Sequence, residues 1–209
     1  MKNKLAFKNN GTTTLIAALI ILLSLSLFVA GGSSDAKQGN LTWNMGVKNV
    51  KSGDFVPFSA PLKSFTGEQF QIVITPSAGC HAYVIYEGPN GDDVAVLFSG
   101  TLKKDELWYS DVLKMDLPQG LETFYVIASL DEQKSLNDRI SALKTNPGSM
   151  QKRALMNELY RIRSDVSQFK ETPEKPILMG GAARGSTDKN QGVEFSGLGT
   201  YVKTISIEH

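Results

Sequence analysis

The chain has 209 residues, of which 41% are hydrophobic and 21% charged, and its formal net charge is +1. This composition is that of a globular protein, and it excludes collagen-like, disordered and multi-span membrane proteins. A net charge so close to zero provides no field that gathers nucleic acid, so no nucleic-acid partner is predicted.

The counts of cysteine and histidine limit the available chemistry. The single cysteine excludes a disulfide within the chain. Together with only two histidines, it cannot supply the four ligands of a zinc site built from these residue types. We therefore predict no metal site and no cofactor.

The N-terminal segment has the form of an export signal. Three lysines and no acidic residue precede the uncharged, apolar residues 15–30, and small residues follow. This pattern predicts a signal peptide over 1–32, cleaved between Gly32 and Ser33. If the segment is not cleaved, it is a membrane anchor, although the run is shorter than a typical spanning helix. Either way, the protein is expected in the periplasm or at the cell surface.

The residues just before the predicted cleavage site resemble the lipobox of bacterial lipoproteins. Residues 28–31 read FVAG, and Gly32 stands where a lipobox has its lipidated cysteine. Because glycine has no thiol, this chain cannot be acylated there. It is either secreted or periplasmic, or it differs from a lipidated relative by one residue.

Residues 33–40 are small and polar and are expected to form a tether before a single domain over 41–209. Up to about Leu130, short β-type runs alternate with turn residues at the spacing of an antiparallel β-sandwich or barrel-like core. The predicted strand 81–86 follows the predicted strand 69–75 closely enough to pair with it as a hairpin. Asn90-Gly91 predicts a turn after the strand 81–86. The predicted strands are 69–75, 81–86, 94–98, 107–117 and 122–129.

Helical periodicity then replaces the β pattern, which predicts a helical insertion over 132–170. The first amphipathic helix contains Leu136, Ile140 and Leu143, and Asn146-Pro147 indicates the start of the second. The fold class is therefore mainly β, of the α+β type, with two amphipathic helices before a C-terminal strand. The apolar stripe of the second helix is a candidate partner surface and consists of Leu155, Leu159, Ile162, Val166 and Phe169.

The last part of the chain changes composition twice. Residues 173–192 are rich in glycine, proline and small polar residues, which is typical of a mobile loop. Thr200–Ile207 alternates again and predicts a strand that pairs with the earlier sheet. The helices are then an insertion between strands.

Cys80 and His81 are adjacent, which raises the hypothesis of a cysteine nucleophile with a histidine base. Neighbouring side chains of a strand point to opposite faces, so this pair cannot exchange a proton directly. A catalytic Cys80 would need His209 or an acid such as Asp92 as its base. The favoured interpretation is a buried Cys80, with His81 facing solvent or a turn.

Two further segments are weak candidates for ligand binding. Gly180–Ser186 has the glycines and the cation of a phosphate loop, but it lacks the Lys-Ser/Thr ending and the strand-to-helix context. Asp92-Asp93 offers carboxylates for calcium without the spaced ligand set of a known loop. No catalytic residue is predicted from either segment.

One block of the chain resembles a bacterial domain family of unknown function. Members are found appended to serine/threonine kinases and caspase-like peptidases, and also as stand-alone exported proteins. The resemblance implies a β-rich, non-catalytic accessory module, and it transfers no catalytic residues. The residues that carry it lie at 70–74, 79–86, 96–98, 117–118 and 120–129.

A weaker association, based on size and export signal, is with the small accessory lipoproteins of surface protease complexes of the dentilisin type. We therefore expect a non-catalytic envelope protein that binds, assembles or stabilises a partner protein such as a surface protease. The alternative is a small envelope hydrolase with an acidic site between sheet and helices. The sequence does not indicate the oligomeric state.

Overall fold

Two facing β-sheets and two helices make up the part of the chain that the computed structural model describes, which is residues 40–167, 175–178 and 191–209. The predicted mainly β sandwich is confirmed, whereas the barrel alternative is not, since the two sheets do not close. The predictions for the signal segment, Gly32, Ser33 and Phe169 fall outside these residues. The strands are β1 (Asn40–Asn49), β2 (Phe55–Val56), β3 (Leu62–Lys63), β4 (Gln69–Pro76), β5 (Cys80–Glu87), β6 (Val94–Leu102), β7 (Trp108–Tyr109), β8 (Leu113–Lys114), β9 (Leu121–Ser129), β10 (Lys175–Leu178), β11 (Gln191–Leu198) and β12 (Thr200–Glu208).

The first sheet has the order β10-β11-β1-β4-β7, with β2 added to β1 and β8 added to β4. The second sheet has the order β3-β12-β9-β5-β6. All pairings are antiparallel except that of β3 with β12. The C-terminal strand therefore pairs with the earlier strand β9, as its alternating pattern predicts.

An apolar core fills the space between the two sheets. Trp43 of β1 is fully buried and makes edge contacts with the rings of Phe195 and Tyr201, at centroid distances of 6.1 and 5.7 Å. These rings come from both sheets, so the contact joins the two layers. Burial of large aromatic side chains of this kind contributes strongly to stability.

The helices cover the outer face of the second sheet. They are α1 (Lys134–Thr145) and α2 (Ser149–Ser167). Tyr125 and Ile127 of β9 pack against them, while Phe124 and Val126 point into the core between the sheets. Strand β9 is therefore buried on both faces, which explains the continuous apolar run over its residues 124–128.

Three local predictions are wrong. Strands β4 and β5 belong to different sheets and do not form a hairpin, because the chain crosses from one layer to the other at 77–79. The run 107–117 contains only the two-residue strands β7 and β8. The second helix begins at Ser149 rather than at Asn146-Pro147, and the carbonyl of Gly148 accepts the amide of Lys152 at 3.0 Å.

The segment predicted as a mobile loop over 173–192 contains strand. Strand β10 lies within it and pairs with β11, which begins at Gln191. Val193 and Phe195 are two residues apart in β11, so both side chains point to the same face, and both pack in the core between the sheets. In the described residues, neither helix combines the length and the apolar character that a membrane crossing requires.

Candidate functional site

Strand β6 forms one edge of the second sheet, and a groove lies beside it. The pairing of β5 with β6 shifts register between Val84 and Ile85, so that Leu97 has no partner across the pair. This bulge turns both Leu97 and Phe98 toward the core between the sheets. The resulting cavity of about 340 Å³ is named the edge groove, and it is lined by Tyr86, Ala95, Leu97, Val112, Leu113, Lys114, Met115, Glu122 and Phe124.

The edge of β6 differs from the other sheet edges of the described chain. Strands β2, β3, β7 and β8 have two residues each, and β10 is a four-residue strand that carries Lys175 and Pro176. Strand β3 covers β12 only at Ile207 and Glu208, and the stretch of β12 that it leaves open carries Lys203. Short length, lysine and proline are the usual protections against unwanted strand pairing. Strand β6 has nine residues, no charge and no proline. A bulge also hinders the pairing of an edge strand, and β6 has one at Leu97.

A buried carboxylate lies at the inner end of the edge groove. Glu122 of β9 is only 5% exposed and points to the same face as Phe124. Its Oε1 lies 3.1 Å from Nε2 of His209, whose side chain is fully buried. Oε2 of Glu122 and Nδ1 of His209 have no hydrogen-bond partner among the described residues.

A second cavity adjoins the edge groove and shares Tyr86, Lys114 and Glu122 with it. Its volume is about 390 Å³. Four carboxylates and two ammonium groups line it, so its formal charge is negative. We name it the acidic cavity, and it is lined by Tyr86, Pro89, Asn90, Asp92, Asp93, Lys114, Asp116, Leu117, Pro118, Glu122 and Lys152.

The two lysines of the acidic cavity are already engaged. Lys114 forms an ion pair with Asp116 at 2.8 Å, and Nζ of Lys152 donates to the backbone carbonyl of Asp92 at 2.7 Å. Burial raises the pKa of Tyr86, and the neighbouring carboxylate of Glu122 raises it further. Tyr86 is therefore a neutral phenol at physiological pH.

A third cavity, of about 510 Å³, lies where the first turn of α2 approaches the end of β5. Its lining includes Lys152, Arg153, Glu87 and Asp92, so both charge signs are present. Glu87 accepts hydrogen bonds from the hydroxyls of Tyr125 and Tyr160. This carboxylate holds α2 against the sheet.

The layer between the second sheet and the helices is otherwise apolar. A cluster of buried side chains from β5, β9 and both helices fills it. This is where the hydrolase alternative places an acidic site. The buried carboxylate Glu122 lies instead between the two sheets, at the edge groove.

Cys80 is buried and is not brought to either candidate base. Burial raises the pKa of its thiol to about 11. It lies at the Ser129 end of β9, whereas His209 is bonded at the Gly120 end. At about 3.4 Å per strand residue, these two ends, at Ser129 and Gly120, are separated by roughly 30 Å. His81 is half-buried on the opposite face.

Asp92 and Asp93 lie in the turn after β5, where Gly91 adopts a positive φ of 71°, as the Asn90-Gly91 pattern predicts. Both are exposed. The described residues contain no group of three side chains placed to hold a metal ion. The candidate phosphate segment Gly180–Ser186 lies outside the described residues.

The apolar stripe of α2 is not a free partner surface, so that prediction is wrong. Leu155 and Leu159 are fully buried, Ile162 is 4% exposed, and Val166 packs against the same cluster. The stripe is used to cover the outer face of the second sheet. Sequence periodicity identifies an apolar face but not what covers it.

The Glu122–His209 pair was not predicted. The two residues are 87 positions apart and are brought together by the pairing of β9 with β12. The available signal was a glutamate just before the apolar residues 124–128 of a predicted strand. Comparison with protein families, curated proteins and solved structures finds no match to this chain.

Proposed function

We propose that this chain is an exported, non-catalytic protein of the cell envelope that binds or stabilises a partner protein. The N-terminal export pattern supports the location. The edge of β6 supports the role, because its backbone groups face outward with no strand beside them in the described chain. An exposed strand edge is a common site for the addition of a partner strand.

The single observation that carries the proposal is the contrast between β6 and the other edges. The five other edge strands have two to four residues, and the longest of them, β10, carries lysine and proline. The stretch of β12 that β3 leaves open carries Lys203, whereas β6 combines nine residues with an uncharged sequence. Leaving such an edge open invites pairing with other chains. The edge groove beside it adds apolar contact area, and Val112 at its rim is 48% exposed.

Crosslinking in the envelope of the producing cell tests this proposal. A photoreactive residue at the exposed Thr101 of β6 is compared with the same residue at Met150, which is 73% exposed on α2. We expect a discrete adduct from position 101 alone. The neighbouring change Ser99→Lys is expected to remove it, because a charge on the edge opposes strand addition.

The control variant is Met150→Lys, which adds the same charge away from β6 and is expected to leave the adduct unchanged. Equal adducts from both positions, or an adduct at position 101 that persists in the Ser99→Lys variant, would contradict the proposal. Absence of any adduct at position 101 would contradict it as well.

A further inference from the structure

The edge groove is open to solvent beside the free side of β6. Ala95 and Leu97 of β6 are half-buried, and Val112, next to β8 of the other sheet, is 48% exposed at the rim. The inner part of the lining includes the buried side chains of Met115 and Phe124. A side chain that enters the edge groove from beside β6 therefore meets apolar surface along its whole length.

The two charged residues that line the edge groove are paired within the chain. Lys114 forms an ion pair with Asp116 at 2.8 Å. Glu122 is bonded through Oε1 to Nε2 of His209 at 3.1 Å, and the hydroxyl of Tyr86 is hydrogen-bonded to the same carboxylate. The remaining lining residues are uncharged. An uncharged, apolar side chain therefore complements the edge groove, since an unpaired charge buried there would be costly.

Two aromatic rings close the space between the sheets beyond the edge groove. The rings of Phe98 in β6 and Trp108 in β7 pack with their centroids 4.8 Å apart. Strands β7 and β8 pair with different stretches of β4, so Trp108 lies further along the sheet edge than the groove. A Cβ placed on Gly100 would lie 3.3 Å from the ring of Phe98, which shows that the ring fills the space there. Within the described chain, the apolar opening is therefore limited to the stretch of β6 from Ala95 to Leu97.

A strand that adds to β6 has one position from which a side chain can enter the edge groove. Every second residue of the added strand points toward the space between the sheets. At the level of Ala95 and Leu97, that side chain enters the groove. Two residues further along, at a distance of about 7 Å, the next one meets the packed rings of Phe98 and Trp108. The bulge at Leu97 creates this difference, because it turns Leu97 as well as Phe98 toward the core.

We propose that the edge groove receives one large apolar side chain, such as that of leucine, from the partner strand that adds to β6. This inference rests on the proposed function, because that strand is the segment that the β6 edge binds. The groove volume of about 340 Å³ is at the small end of the range for ligand pockets, roughly 300–1,000 Å³, which suits a single side chain. The backbone of β6 binds any extended segment, whereas the groove selects an apolar residue at one position and so fixes the register.

Titration of the full chain with strand peptides tests this inference. The probe is acetyl-Thr-Ser-Thr-Leu-Thr-Ser-Thr-amide, and two matched peptides carry alanine or lysine in place of the leucine. Backbone amide NMR signals are followed. We expect saturable shifts at Ala95, Leu97 and Val112 with the leucine peptide and none at these residues with the lysine peptide. The alanine peptide is expected to bind roughly tenfold more weakly, because less apolar area is buried. A second leucine two residues after the first is expected to leave the affinity nearly unchanged.

Matched variants distinguish the edge groove from the backbone edge. Ala95→Phe fills the groove from within, leaves the backbone groups of β6 in place, and is expected to weaken binding of the leucine peptide roughly tenfold. Ala142→Phe adds the same ring at an exposed position of α1 and is expected to leave binding unchanged. If Ala95→Phe fails to fold, Val112→Lys replaces it with Met150→Lys as its control, because a charge at the rim opposes entry of an apolar side chain.

Four results would overturn the inference. They are equal binding of the leucine, alanine and lysine peptides, the absence of saturable shifts with the leucine peptide, binding that is insensitive to the groove variant, and a large gain in affinity from the second leucine.

The crosslink from position 101 separates this inference from the proposed function. The groove variant Ala95→Phe is expected to reduce the adduct at least twofold, while Ala142→Phe leaves it intact. If Ser99→Lys removes the adduct but the groove variant does not reduce it, the inference fails and the proposed function stands. If position 101 gives no adduct, the proposed function fails, and this inference fails with it.

Discussion

The hydroxyl of Tyr160 lies 3.0 Å from each carboxylate oxygen of Glu87. One residue belongs to α2 and the other to the end of β5, so the contact ties the helical layer to the second sheet. The hydroxyl of Tyr125 donates to the same carboxylate at 2.8 Å. Burial raises the pKa of Tyr125, and its hydrogen bonds with Tyr160 and Glu87 raise it further. The cluster holds α2 in place beside the cavity of about 510 Å³.

Removal of one hydroxyl from this cluster is expected to weaken the protein modestly. Tyr160→Phe should lower the free energy of unfolding by about 1 kcal/mol, because a partly exposed hydrogen bond is lost. Urea denaturation measures it. Tyr109→Phe is the control, since Tyr109 is similarly exposed at 46% and is expected to change stability by less than about 0.5 kcal/mol. Equal effects of the two variants would contradict the anchoring role.

Burial on both faces of β9 predicts that truncation on either face is costly. Phe124→Ala on the inner face and Ile127→Ala on the helix-facing side should each lower the free energy of unfolding by about 2–5 kcal/mol. Leu121→Ala, at a position 46% exposed, should cost less than about 0.5 kcal/mol. Chemical denaturation is the measurement. A large loss on only one face would show that one of the two layers does not pack as described.

The apolar stripe of α2 is expected to affect stability rather than partner binding. Leu159→Ala removes a fully buried side chain and should lower the free energy of unfolding by about 2–5 kcal/mol. Arg153→Ala, on the exposed face of the same helix, should stay within about 0.5 kcal/mol of the parent protein. A Leu159→Ala variant with unchanged stability and a lost crosslink at position 101 would restore the stripe as a partner surface.

The spacing of apolar residues, every second residue in strands and every three to four in helices, allowed the main elements to be predicted, because each segment must turn its own apolar residues to a core. This spacing did not reveal which layer covers which face. The apolar stripe that contains Leu155 has the same sequence pattern whether a sheet or a partner protein covers it. The pair of Glu122 with His209, and the open edge of β6, depend on strand order, which is set by contacts between residues far apart in the chain. Local sequence patterns do not predict contacts between residues so far apart in the chain.

The acidic cavity depends on a close approach of two loops. A Cβ placed on Gly120 would lie 2.6 Å from Cβ of Pro89, and Gly120 also has a positive φ of 153°. Gly120→Ala should therefore lower stability and push apart the walls formed by Pro89 and Pro118. Gly53→Ala is the control, since Gly53 has a positive φ of 76° but no atom within 4 Å of the added Cβ. Thermal unfolding should show the larger loss for Gly120→Ala. A similar loss for both variants would mean that backbone strain alone, without the contact to Pro89, explains the effect.

Burial of Cys80 predicts both slow modification and a fall in stability at alkaline pH. The folded thiol has a pKa of about 11, above its value of 9.0 in an unfolded chain. Below pH 9 both states keep the proton, and the contribution to stability is complete; it is lost as the pH rises from 9 through 11, because the unfolded chain releases its proton first. Urea denaturation across this range should show a steeper decline for the parent protein than for Cys80→Ala, and at pH 8 a thiol reagent should react only after unfolding. Rapid labelling of the folded protein, or identical pH profiles for the two proteins, would place Cys80 in contact with solvent.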